Sequence, residues 1–349
     1  MRADKAPAGD HLPVLSDFSG QGVLYDGLTR SLKEGTFVHA YLISGPEGVG
    51  KRTLARLMAQ ALLCTGDARP CGECPACIQV RDGNHPDVII ERPGEPLCPD
   101  VEAGRKTIPV DEIRYIIGLV GQHTFTGGNR VVIIEQADRM NVNAANALLK
   151  SLEEPLAGTV YLLLTDAPEQ LLPTIVSRCR PVRLHPWDDA YVRQVLQARG
   201  IDGQAAMRAA SVSGGSIGRA MAIAGDEKYW QRRSEVLADF FGLPSRGEIL
   251  RVSGAWRERK GEADEILSMI EEMIRTLLLV RLGQQDGQLV AEFPDAWQKM
   301  AASAEIKPFI DLMDAVSDAR RLQASNVTWQ AVVEKLLLRM MEEKSKWST

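Results

Sequence analysis

No uncharged apolar run in this 349-residue sequence reaches the roughly 20 residues that a membrane-spanning helix requires. A secretory leader is not expected either, because Met1 to Gly9 is short and polar and no apolar segment follows it. Internal repeats and low-complexity segments are missing, which excludes a solenoid or a long linker as the organising principle. There is no basic excess. Lys and Arg number 41 against 46 Asp and Glu, a formal net charge of -5, so a whole-chain electrostatic footprint for nucleic acid is absent. Any such contact is local or shared with partners, and a stand-alone DNA-binding regulator is disfavoured. Cysteines are few, six in all, and without a leader disulfides are the poorer reading of them. The expectation is a soluble, cytoplasmic protein.

What is present is an ordinary globular balance, 45% hydrophobic and 25% charged. The chain is long enough for about two or three domains. The first half alternates strand and helix signals. Ala40 to Ser44, Val88 to Ile90, Val131 to Ile134 and Val160 to Leu164 are short apolar runs of the kind buried on both faces of a sheet. Between them Lys51 to Leu63, Val110 to Val120 and Ala144 to Leu152 carry helical spacing, and Pro155 stops the last. Such alternation implies an α/β unit with a parallel sheet. Arg92 to Lys106, rich in Pro, Gly and charge, reads as a surface loop. After His185-Pro186 the strand signals stop. Asp188 to Ala224 reads as a small helical unit, broken at Ser213 to Ser216. From Tyr229 onward a larger helical unit has breaks at Gly242 to Pro244 and Gly283 to Gly287.

Gly45-Pro46-Glu47-Gly48-Val49-Gly50-Lys51 follows a strand and opens a helix. In that context the glycines Gly45, Gly48 and Gly50 let backbone N–H groups turn inward around phosphates. The helix N-terminus adds positive potential, and Lys51 reaches the β/γ oxygens. One position departs from a working site. The residue after the lysine should carry the hydroxyl that holds Mg²⁺; here it is Arg52, and Thr53 comes one place later. One residue on a helix turns a side chain by about 100°, so Thr53 is a poor substitute. A second departure stands at the end of Val131 to Ile134. Glu135 takes the place of the magnesium-binding acid. Gln136 takes that of the general base, and an amide cannot accept a proton at neutral pH. Asp138 is expected to point elsewhere. Both departures remove catalysis and leave the scaffold, so ATP/Mg²⁺ binding is in doubt and hydrolysis is not expected.

Four cysteines, Cys64-x6-Cys71-x2-Cys74-x2-Cys77, lie within a short insert at 64–77. Four thiolates close a tetrahedral shell around Zn²⁺ with no open position, which describes a structural site. Cys71, Cys74 and Cys77 are expected in a tight knuckle, with Cys64 supplied by the end of the preceding helix. An iron–sulfur cluster also uses C-x2-C-x2-C, but nothing else in the sequence suggests redox chemistry. Cys98 and Cys179 fall outside the spacing, and His85 is redundant to a shell of four sulfurs.

These residues together resemble the bacterial AAA+ clamp-loader family. His39-Ala40-Tyr41-Leu42 before the phosphate loop, the cysteine insert after the first helix, and Asn143-Ala144-Ala145-Asn146-Ala147-Leu148-Leu149-Lys150-Ser151-Leu152-Glu153-Glu154-Pro155 resemble the family's motifs. So do Ser177-Arg178-Cys179 and Gly215-Ser216-Ile217-Gly218-Arg219-Ala220. The likeness covers roughly residues 15 to 225; the helical remainder is similar to the family's collar more loosely, best around Asn326. The resemblance implies an AAA+ domain with a zinc insert over 1–186, a helical lid over 187–228 and a helical collar for oligomerisation over 229–345. It implies that Thr165 is the sensor-1 residue and Arg219 the sensor-2 residue. It also implies that Arg178 is an arginine finger offered in trans to a neighbour's γ-phosphate, rather than a plain surface arginine. Within the family the hydrolysing gamma/tau subunits keep Lys-Thr/Ser and Asp-Glu. This chain departs at both and is more similar to the delta-prime type, a rigid stator. The implied partners are gamma/tau and delta subunits and, through the complex, the sliding clamp and primer-template DNA during DNA replication. The alternative is an active gamma-type ATPase.

Overall fold

Runs of β-branched and apolar residues build a parallel sheet in the first half of the chain. The computed structural model describes residues 14–34, 36–243, 245–284, 289–325 and 327–346; Met1 to Gly9, Pro244, Gly287 and Asn326, singled out above, lie outside them. The strands are β1 (Ala40–Ser44), β2 (Val88–Glu91), β3 (Arg130–Ile134), β4 (Thr159–Thr165) and β5 (Arg180–Arg183). Their order is β2-β3-β4-β1-β5, with all neighbours parallel. The helices of this half are α1 (Val23–Glu34), α2 (Lys51–Leu63), α3 (Pro75–Asp82), α4 (Val110–Val120), α5 (Val142–Glu153), α6 (Pro173–Val176), α7 (Asp189–Ala198), α8 (Gly203–Val212) and α9 (Ile217–Ala224).

Successive strand residues point to opposite faces. Ala40, Leu42, Val132, Ile134, Tyr161 and Leu163 therefore share one face and form one core with Ile113 and Ile116 of α4 and Leu148 and Leu152 of α5. The alternate residues Tyr41, Ile43, Val131, Ile133, Leu162 and Leu164 are equally buried, and α2 packs on β1, β3 and β4 with Leu54 and Met58 inside. A sheet buried on both faces explains why its strands read as continuous apolar runs. The strand that leads into the glycine-rich loop, β1, lies between β4 and β5 in this parallel α/β sheet.

Contacts divide the chain into two units, one ending at Ala224 and the other beginning at Gly225. The second is all helix in its described residues: α10 (Glu227–Val236), α11 (Ile249–Trp256), α12 (Ala263–Arg281), α13 (Asp295–Ser303), α14 (Lys307–Gln323) and α15 (Trp329–Ser345). Its core is aromatic as well as aliphatic. Trp297 is fully buried, stacks edge-on against Phe241 at 4.8 Å and donates its Nε1–H to the Phe241 carbonyl at 2.6 Å. An indole needs such an acceptor when its N–H leaves water.

The 92–106 loop is held from beneath. Glu112, in the first turn of α4 and fully buried, accepts the backbone N–H groups of Leu97 at 2.6 Å and Cys98 at 3.1 Å. Glu91, the last residue of β2, is buried beside it. Burial and the neighbouring Glu112 push the Glu91 carboxyl up to about 9, so it keeps its proton at neutral pH. The unfolded chain releases that proton near its ordinary value of 4.5 while the folded chain keeps it. The contribution of Glu91 to stability therefore falls as pH rises from the lower value to the higher. Glu91→Gln keeps a donor toward Glu112 and removes this loss. Thermal melts should show the variant melting about 2–4 °C above the parent at about pH 8, with the gap closing near pH 5. An equal shift at both pH values would contradict the protonated assignment.

Candidate functional site

The phosphate loop leaves the carboxyl end of β1 and runs into α2, whose N-cap is Gly50 in a left-handed conformation. Lys51 does not reach outward. Its ammonium donates to the loop carbonyls of Gly45 at 2.8 Å and Pro46 at 2.7 Å and pairs with Asp166. Other loop carbonyls are also engaged. Gly48 accepts the N–H of Gly218 at 2.9 Å, and Val49 accepts the indole N–H of Trp187 at 2.9 Å. Only glycine fits at position 48, where φ is +72° and a Cβ would lie 2.2 Å from Ser216 Oγ. The start of α9 is thereby seated directly on the loop. Arg219 is part of this contact through its backbone N–H, which donates to Ser216 Oγ at 3.1 Å.

The carboxylate expected to bind magnesium meets cations that belong to the protein. Glu135 is buried at the end of β3, with its side chain 4% exposed. Arg52 Nε lies 2.6 Å from Glu135 Oε2, an ion contact without hydrogen-bond alignment. Arg92 Nε lies 3.2 Å from Glu135 Oε1 and donates to it. Arg52 and Arg92 thus both meet one buried carboxylate. Thr53 is half-buried one step around α2.

Gln136 is exposed and takes φ 49°, ψ 53°, a non-glycine residue in the left-handed region. That conformation costs about 1–2 kcal/mol. Asp138 accepts the Thr165 hydroxyl at 2.6 Å, and Thr165 is buried at the end of β4. The tight turn after Gln136, where the Arg139 N–H returns to the Gln136 carbonyl at 2.8 Å, carries Asp138 back toward the neighbouring strand. Gly45, Gly48, Gly50, Lys51, Arg52, Glu135, Gln136 and Thr165 thus come from the ends of adjacent parallel strands and the turn between β1 and α2, where ligand sites of α/β sheets lie.

Arg178 sits apart from that loop, between α6 and β5. Its guanidinium pairs with Glu153 at 2.5 Å and donates to the Thr174 carbonyl at 3.0 Å, and the side chain remains 35% exposed. It is oriented and still reachable from outside. Cys179 beside it is buried, and burial pushes its thiol up to about 11, so it is a core residue.

Cys64, Cys71, Cys74 and Cys77 bring their four sulfurs within 4.8 Å of one another. Cys71 and Cys77 are 4.0 Å apart, as are Cys74 and Cys64, far beyond the roughly 2.05 Å of a disulfide. The backbone N–H groups of Gly66, Cys71, Cys74 and Cys77 point at these sulfurs at 3.3–3.4 Å. The four thiols do not share one fate. Burial pushes Cys64 and Cys77 up; at Cys74 the N–H groups of Thr65 and Cys77 outweigh burial and bring it to about 5. Four thiolates this close need a cation, and the group can hold a metal ion. Cys77 is not in a free knuckle: Cys74 caps α3, Pro75 opens it and Cys77 lies in its first turn. Gln60 of α2 fixes the insert by donating to the Cys77 carbonyl at 2.9 Å. His85 is buried away from these ligands, its Nδ1 accepting the Asp87 N–H at 3.1 Å.

The sequence reading missed Arg92, Asp166 and Trp187. The first two follow strand ends. Glu91 pairs with Ile134 and Ser44 with Thr165, so Arg92 falls beside Glu135 and Asp166 beside the loop. The strand order was the missing signal.

A family model described as DNA polymerase III, delta subunit matches residues 20–188. A Pseudomonas aeruginosa DNA polymerase III subunit delta' is 50% identical over 143 residues, 40% of this chain and 41% of that protein. The Escherichia coli subunit delta' is 34% identical over 224 residues, 63% of this chain and 65% of that protein. Both alignments span less than two thirds of the relative's length. The Bacillus subtilis subunit delta' is 26% identical over 321 residues, 90% of this chain and 94% of that protein. Among the described residues no helix is long and apolar enough to cross a membrane.

Proposed function

We propose that this chain is a member of the family of DNA polymerase III delta-prime subunits, which its similarity to them supports, and that it is the non-hydrolysing stator of a clamp loader. The observation that carries the reading is Glu135 held by Arg52 and Arg92 where a working ATPase holds magnesium. The loop keeps its fold while Lys51 is engaged by its own backbone and Asp166. The gamma-type alternative needs that metal place open. In this reading the chain divides into an ATPase-like body over 1–186, a lid over 187–228 and a collar over 229–345 that joins gamma/tau and delta subunits in the cytoplasm. The sliding clamp and primer-template DNA are met through the assembled complex.

The working side chain in this proposal is Arg178. Each nucleotide of such a ring lies at an interface, and a guanidinium supplied in trans stabilises charge developing on the transferred phosphate, worth about 10³–10⁵ in rate. Arg178 suits this role because Glu153 and the Thr174 carbonyl orient its planar fork while leaving it accessible. Zinc suits the four sulfurs. A tetrahedral shell with bonds near 2.3 Å sets sulfurs about 3.8 Å apart, close to the 4.0 Å pairs here. Cys64, Cys71, Cys74 and Cys77 would hold it, and its contribution would be to tie α2 to α3.

Two measurements test these assignments. Metal analysis of the purified chain should find about one zinc per molecule, as a closed four-thiolate site binds. Cys74→Ser should lose it and loosen 64–82 to proteolysis, while a metal-free protein or an iron chromophore would contradict the assignment. In a loader reconstituted with gamma/tau and delta subunits, Arg178→Ala should assemble normally and silence the adjoining ATP site, with Arg178→Lys failing to restore full turnover. Clamp loading at the parent rate by the Arg178→Ala complex would make the residue structural.

A further inference from the structure

The two arginines on Glu135 are not equivalent. Arg52 is 60% exposed on the first turn of α2, where solvent screens its contact with Glu135. Arg92 is 21% exposed and is fixed by its backbone. It stands one residue beyond β2, beside the end of β3, and forms an antiparallel bridge with Glu95. The loop it begins is tied down through Leu97 and Cys98 on Glu112, and Gly104 N–H returns to the Gly94 carbonyl at 2.9 Å. The loop as a whole positions one guanidinium on a buried carboxylate.

We infer that Arg92 is a specificity-determining residue of this site: an internal counter-ion that occupies Glu135 and excludes a divalent cation even when position 52 is repaired. The physical reason is competition for one carboxylate. Mg²⁺ demands oxygen ligands at about 2.0–2.1 Å in near-octahedral geometry. A guanidinium already on Oε1 both removes a lone pair and repels a doubly charged ion at close range, in a setting of reduced screening. Arg92→Ala alone leaves Arg52 in place, and Arg52→Thr alone leaves Arg92. Only loss of both frees Glu135 beside a hydroxyl and an intact phosphate loop. The inference rests on the reading of this site as a phosphate loop that does not turn over ATP, and it adds which residue keeps the metal out.

The experiment is titration of the full chain with ATP, in Mg²⁺ and in EDTA, by calorimetry. Parent, Arg52→Thr, Arg92→Ala and the double variant are compared, with Arg92→Gln replacing Arg92→Ala if the latter does not fold. For the parent and both single variants the affinity should be the same with and without Mg²⁺, or too weak to measure in both. The double variant should bind at least about tenfold more tightly with Mg²⁺ than without, as expected once a carboxylate is open to the ion. Full Mg²⁺ dependence in Arg52→Thr alone would overturn the role of Arg92, and so would none in the double variant. Rapid ATP turnover by the parent would instead sink the non-hydrolysing reading, whichever way the binding ratios fall.

Discussion

A carboxylate buried at the end of a parallel sheet needs a cation, and the character of this site follows from which cation it receives. In-register strands bring Glu135, Thr165 and the loop after Ser44 to one edge. In a hydrolysing enzyme that convergence assembles a metal and a nucleotide. Here it assembles two guanidiniums on Glu135 and an ammonium on Asp166 and two loop carbonyls. The charges that would have been offered to a ligand are compensated within the chain, so the site contributes to the rigidity of the fold.

The same theme extends to both neighbours of the loop. Helix α9 begins on Gly48, and Trp187 reaches Val49, so the glycine-rich loop serves as a seat for α9. On the far end of α2, Gln60 and Cys64 connect the helix to the cysteine insert. Helix α2 is thereby pinned at both ends, as the proposed stator role would require. The residue left reachable, Arg178, is the one the proposed trans role needs.

Much of this was legible in the sequence, and the exceptions have physical causes. The apolar runs of β1, β3 and β4 are buried on both faces, and their hydrophobicity announces them. By contrast β5 is Arg-Pro-Val-Arg with one buried residue; as an edge strand it tolerates proline and charge, and so it carries no strand signal. The helix α3 was concealed by its own cysteines, since Cys74 and Pro75 look like turn residues but act as N-cap and first residue. The substitutions Arg52 and Gln136 were visible because their positions are fixed relative to a motif. Arg92 was not, because its meeting with Glu135 depends on β2 lying beside β3, a pairing between segments separated by the whole of the 92–106 loop and α4.

The most direct test is structural. The protein crystallised with Mg²⁺ and a non-hydrolysable ATP analogue should show Arg52 and Arg92 still on Glu135, Lys51 still on the Gly45 and Pro46 carbonyls, and no metal at Glu135. A magnesium ion coordinated by Glu135, with Arg52 and Arg92 turned away and Lys51 on the phosphates, would contradict the account at its centre.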